Sequence, residues 1–96
     1  MTIEQKFTFS KNPNLTQEEI FLLMNDKNPF IRASLAENPN IDLKCWETLF
    51  NDEDYLVKAA ALGNVEKFKE EKRKIIANSQ ITTQTGNFKS DINRFL

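Results

Sequence analysis

The sequence contains no histidine and only one cysteine, Cys45, and these two shortages exclude most catalytic chemistry. Without histidine there is no Ser-His or Cys-His nucleophile pair and no imidazole to hold a metal. A single cysteine can form neither an internal disulfide nor a thiolate cluster for zinc or iron–sulfur. An enzyme would have to work through carboxylates or lysines alone. The expectation is therefore a non-enzymatic chain with no cofactor and no metal. Long apolar runs are absent too. Ile20-Phe21-Leu22-Leu23-Met24 is cut off by Asn25-Asp26, far short of the roughly 20 residues a membrane helix needs. Met1 to Ser10 includes Glu4, Gln5 and Lys6 and has no apolar core of the signal-peptide kind. No membrane association and a cytoplasmic location are expected.

The 96 residues suffice for one small domain with one modest core. Net charge is −1, unevenly spread. Residues 1–65 carry six Lys/Arg against ten Asp/Glu, and residues 66–96 carry seven against four. The body is mildly acidic and the last third mildly basic.

What the chain has in abundance is self-similarity. Lys11-Asn12-Pro13-Asn14-Leu15 returns 26 residues later as Glu37-Asn38-Pro39-Asn40-Ile41, then fades into Leu62-Gly63-Asn64-Val65. In the same register Asn25-Asp26 returns as Asn51-Asp52, and Phe30-Ile31-Arg32-Ala33 as Leu56-Val57-Lys58-Ala59. A fixed period of this length predicts stacked units, each burying its apolar face against its neighbours. The expected fold is all-α, a short solenoid of two to three helix–turn–helix repeats with terminal capping segments. A repeat domain spans 1–78, with units at about 5–30, 31–56 and 57–78. Residues 79–96 form a polar linker and a C-terminal amphipathic segment.

Local signals fill in the units. Asn28 is a good N-cap and Pro29 suits the first helical position, where its missing N–H costs nothing, so a short helix runs from about Pro29 to Ala36. Asn38-Pro39-Asn40 stops it. A second helix follows from about Asp42, with Trp46, Leu49 and Phe50 as a core stripe. In the first unit, Thr16-Gln17-Glu18-Glu19 is a capping box, and Ile20, Leu23 and Met24 fill the equivalent core slots. Gln5 to Phe9 alternates and reads as extended. After the repeats, a longer helix is expected from about Val65 to Ala77, with Val65, Phe68, Ile75 and Ile76 inward.

The string Ile31-Arg32-x-x-Leu35-Ala36-x-Asn38-Pro39-Asn40, followed by an apolar stripe and Asn51-Asp52-x-x-x-x-Val57-Lys58, resembles the leucine-rich-repeat variant family, which is related in style to HEAT and armadillo arrays. The likeness covers about residues 5–66, and the third unit departs from it at Gly63-Asn64, where the proline is missing. The resemblance implies a right-handed superhelix in which a short 3₁₀-like helix alternates with an α-helix, and a general protein-binding role.

Several residues are candidates for that role. Lys6, Arg32 and Lys58 occupy equivalent positions, and stacking should line them up as a basic ladder. Asp26 and Asp52 lie six residues ahead of Arg32 and Lys58, placed either to cap short helices and pair with a basic residue in their own or the next unit or to face a partner. Asp52-Glu53-Asp54-Tyr55 is the most acidic stretch and offers a docking surface for a basic partner. It lacks the ligand spacing and glycine of a calcium loop. Lys67, Lys69, Lys72, Arg73 and Lys74 suggest nucleic acid, but Glu66, Glu70 and Glu71 interleave. Lys67–Glu71 and Glu70–Lys74 are then expected as i,i+4 pairs on a solvated helix. With a pI near 5.4, nucleic acid is the disfavoured partner. Cys45 aligns with polar Glu19 and is expected partly exposed. Phe88, Ile92, Phe95 and Leu96 recur at helical spacing, either folding back on the stack or meeting another chain, and form the candidate self-association contact of a homodimer.

Three functions remain open on these grounds. The first is a protein-interaction module. The second is a small inhibitor or decoy of mobile-element origin that blocks a nucleic-acid-handling complex, a reading prompted by the many Asn and Lys residues. The third is a weak nucleic-acid binder acting through the basic terminal helix.

Overall fold

In the computed structural model, which describes residues 1–79, the chain enters its first helix through a reciprocal cap. Thr2 Oγ1 accepts the Gln5 N–H at 3.1 Å, and the Gln5 side chain accepts the Thr2 N–H at 2.8 Å. Helix α1 then runs Ile3–Ser10, so the segment read as extended is helical. The alternation from Gln5 to Phe9 misled because Phe7 and Phe9, on different sides of the helix, are both half-buried against the core.

Five more α-helices follow: α2 (Gln17–Met24), α3 (Pro29–Ala36), α4 (Leu43–Phe50), α5 (Tyr55–Gly63) and α6 (Lys69–Ala77). No strand occurs among the described residues, and α1, α3 and α5, where the resemblance implied short 3₁₀-like helices, are α-helices no shorter than α2 and α4. Each of α2 to α5 starts on a polar cap. Thr16 and Glu19 form the capping box of α2, while Asn28, Asp42 and Asp54 cap α3, α4 and α5. Odd helices pack on odd, α1 on α3 and α3 on α5, and even on even, α2 on α4 and α4 on α6. The two rows meet along the chain.

Between the rows lies the core. Ile31, Leu35, Trp46 and Val57 are fully buried, with Ile20, Leu23, Ile41, Leu49 and Phe50 beside them. Removing one such side chain from water contributes roughly 1.5–3 kcal/mol. Trp46 stacks on Phe50 with ring centroids 5.1 Å apart, and its Nε1–H donates to the Ala61 carbonyl at 2.7 Å.

The unit spacing reappears in the polar contacts. Asn38 Nδ2 donates to the Ser10 and Asn12 carbonyls, both at 2.9 Å. One period on, Asn64 Nδ2 donates to the Ala36 and Asn38 carbonyls at 2.8 and 3.0 Å. Asn64 thus keeps the role of Asn38 although its proline is missing. The corners of successive units are joined by an asparagine ladder, and the acceptor at each rung is the carbonyl of the asparagine before it.

At the last rung a lysine takes over. Lys72 Nζ donates to the Asn64 carbonyl at 2.7 Å and lies over the Trp46 ring, 5.2 Å from its centroid. Its side chain is 2% exposed, so it belongs to the core and not to a solvated basic face. Burial, reinforced by the charge of Lys67, holds its ammonium below the usual lysine range. This contact requires α6 to begin later than the apolar spacing predicted. The chain turns over residues 64–68, where Phe68 adopts left-handed φ 57°, and the helix starts at Lys69. Phe68 is consequently 39% exposed instead of inward, while Ile75 and Ile76 pack on the core as expected. The expected Lys67–Glu71 and Glu70–Lys74 pairs are replaced by Lys69–Glu66 and Arg73–Glu70, three apart.

Candidate functional site

The loops that precede α3 and α5 have the same hydrogen-bonded form. Asp26 Oδ1 accepts the Asn28 N–H, and Asn28 Oδ1 in turn accepts the Phe30 N–H, both at 2.9 Å. Asp52 Oδ1 accepts the Asp54 N–H at 2.8 Å, and Asp54 Oδ1 accepts the Leu56 N–H at 2.9 Å. Short polar side chains at these positions satisfy backbone donors that the turn leaves open. Asp54 is therefore a helix cap first.

The basic ladder is paired within each unit. Lys6 Nζ lies 2.8 Å from Asp26, and Arg32 Nε lies 2.8 Å from Asp52, each cation reaching 20 residues ahead. Arg32 Nη2 adds a second bond to Asp52 at 3.2 Å, while its Nη1 donates to the Asp26 carbonyl at 2.7 Å. All three guanidinium nitrogens are engaged. The hydrogen bond from Lys6 holds the Asp26 carboxyl below its ordinary range against the opposing pull of burial. Burial alone would raise Asp52. The hydrogen bonds from Arg32 and the Asp54 N–H, with the charges of Arg32 and Lys58, outweigh it and leave this carboxyl lowered as well. Twenty residues beyond Lys58 stands Asn78, and Lys58 makes no ion pair within the described residues.

These pairs predict unequal effects. Arg32→Ala leaves Asp52 largely buried with only the Asp54 N–H as donor and no neutralising cation bonded to it, and should lower the unfolding free energy by about 2–4 kcal/mol. Lys6→Ala, at the more exposed pair, should cost about 0.5–1 kcal/mol. A carboxyl lowered in the folded state adds stability that is present above its unfolded value, near pH 4, and is lost as pH falls through its folded value. Arg32→Ala should therefore also flatten the acid limb of the stability profile. Urea titrations followed by circular dichroism from neutral pH into acid measure both, and equal losses for the two variants would contradict the assignment.

Asp26, Arg32, Asp52 and Asp54 come together along one open cleft of about 790 Å³, with Met24 and Thr48 on its wall. Lys6 is drawn to its edge by Asp26. Tyr55 is 79% exposed beside the Asp54 cap, and neither it nor Lys58 lines the cleft. A second groove of about 390 Å³ lies between α2 and α4, where Ile20, Phe21, Met24 and Cys45 form an apolar lining. Phe21 and Thr48 were not singled out from the sequence, and Met24 was assigned to the core alone. The signal was there: with Ile20, Leu23 and Met24 turned inward, the run Ile20–Met24 must leave Phe21 and Leu22 in water.

Cys45 is 5% exposed, not partly open as its alignment with Glu19 implied. Burial, with the Asp42 charge adding, pushes its thiol up to about 12, so at neutral pH it is an unreactive protonated group. Among the described residues no group of acidic or cysteine side chains is arranged to hold a metal ion, and no helix is long and apolar enough to cross a membrane. The candidate self-association residues Phe88, Ile92, Phe95 and Leu96 lie outside the described residues. No family model matches the chain, and no curated protein or solved structure matches it either.

Proposed function

We propose that the chain is a non-enzymatic protein-interaction module, a short right-handed solenoid of two to three 26-residue units of the leucine-rich-repeat variant kind. The contacts that repeat at the unit spacing, in the asparagine ladder and in the Lys6–Asp26 and Arg32–Asp52 pairs, support the architecture. One observation carries the binding role. Phe21, Leu22, Phe30 and Tyr55 are 62%, 70%, 58% and 79% exposed, although the core nearby is closed and well packed. Bulky apolar side chains held in water by short rigid helices are what a partner's surface covers with gain. The polar ladder holds the units in register and is not itself the recognition surface.

The test is affinity purification of the tagged full chain from its native host, followed by rebinding with purified components. At least one protein should co-elute and rebind at a defined stoichiometry. Recovery of nucleic acid alone, in a salt-sensitive complex, would overturn the reading.

A further inference from the structure

The apolar groove between α2 and α4 does not stop at the end of those helices. Met24 and Thr48 line both it and the acidic cleft, so the two form one trough that runs from apolar to charged. At the apolar end Phe21 stands on the wall, 62% exposed. A folded monomer gains little from an aromatic ring in that position. At the other end Asp52, Glu53 and Asp54 gather around the Arg32 guanidinium, and Lys27 also lines the cleft. Lys6 pairs with Asp26 and Arg32 satisfies Asp52 with two hydrogen bonds, so Glu53 and Asp54 set against Lys27 leave this end with a surplus of one negative charge.

We infer that this trough binds an amphipathic helix of a partner protein, with bulky aliphatic or aromatic side chains set against Ile20, Phe21 and Met24 and a Lys or Arg set against Glu53 and Asp54. The inference rests on the proposed interaction role and adds the partner's chemistry to it. A slot between two parallel rods receives a third rod by its apolar stripe. Addition of a partner strand would need a sheet edge, and none exists among the described residues. Among its described residues, a second copy of this chain is a weaker match. Its basic helix α6 pairs Lys69 with Glu66 and Arg73 with Glu70 and buries Lys72, so it offers little unneutralised charge. The negative end of the trough repels nucleic acid.

A random dodecapeptide library displayed on phage and selected on the full chain tests this. Enriched peptides should combine apolar residues at helical spacing with flanking Lys or Arg. A synthetic copy of the dominant peptide, carrying a fluorophore, should bind with an affinity that falls as salt rises. Phe21→Ser and Glu53→Lys change exposed side chains and should each weaken that peptide by about tenfold or more, while Tyr55→Ser, outside the trough, should leave it unchanged. No enrichment, enrichment without a basic bias, or indifference to Phe21→Ser and Glu53→Lys would overturn the assignment. So would a homodimer in light scattering that Phe21→Ser dissociates, since that gives the groove to a second copy. Peptides that respond to Tyr55→Ser alone refute this site but leave the interaction role standing. Failure of the native-host purification refutes that role itself.

Discussion

Trp46→Ala should destabilise the chain by about 4–5 kcal/mol, the largest loss expected from any single truncation here. A domain of this size has only about 5–10 kcal/mol in total. The variant is therefore expected to lose about half of that stability or more. Three losses coincide at this residue. The indole is fully buried and stacked nearly parallel on Phe50, with 5° between the rings, so truncation opens a cavity that short capped helices cannot close by shifting. The Ala61 carbonyl loses the indole N–H, its side-chain donor from α4. The Lys72 ammonium loses the ring face over which it sits and keeps only the Asn64 carbonyl. Trp46→Phe separates the contributions: it keeps an aromatic face and removes the donor, and should cost about 1–3 kcal/mol. Urea unfolding followed by circular dichroism at the helix band measures both variants. A loss below about 1 kcal/mol for Trp46→Ala would mean that α4, α5 and α6 do not meet at this side chain.

Much of the fold was legible because it is written in local chemistry. Asn28-Pro29 and the Thr16–Glu19 box announce their helix starts within four residues, and α2 and α3 begin there. Ile31 and Val57 recur one period apart in the repeat, and both are fully buried. Asp26 and Asp52 were read as capping helices and pairing with basic residues, or as facing a partner; they pair with Lys6 and Arg32 of their own units, whereas the helix caps belong to Asn28 and Asp54. The failures share a cause. Lys72 reads as one more lysine on a Lys/Glu-rich helix because its partner is a backbone carbonyl, at Asn64, which no side-chain pattern reveals. Helix α6 starts four residues late for the same reason, since the chain must turn at Phe68 to bring Lys72 beneath Trp46. Cys45 was judged by its alignment with Glu19. Glu19 is occupied by its own capping box, whereas Cys45 closes the seam between α2 and α4, so equivalent positions carry different environments. The trough was missed because it belongs to no single unit. It forms only where the residues after α2 lie beside those after α4.

Asn38 gives the second large effect. Asn38→Ala should cost about 2–4 kcal/mol, more than the usual loss of one hydrogen bond, because a buried amide serves three backbone groups at once. Its Nδ2 is the donor for the Ser10 and Asn12 carbonyls, and its Oδ1 accepts the Asn40 N–H at 2.9 Å, which shapes the turn after α3. With the side chain 4% exposed, little water can replace those bonds. Asn64→Ala removes the equivalent rung from a half-buried position and should cost less, about 1–2 kcal/mol. Asn38→Asp separates donor from acceptor. It keeps the Asn40 bond but points a carboxylate oxygen at two carbonyls, so at neutral pH it should be at least as damaging as Asn38→Ala. Such a carboxyl is raised in the folded state, and its penalty is relieved as pH falls through that raised value, when an O–H again faces one carbonyl. The Asn38→Asp variant should thus regain stability on mild acidification while Asn38→Ala does not. If the two lose stability in parallel across that range, the amide is filling space rather than joining the corners of successive units.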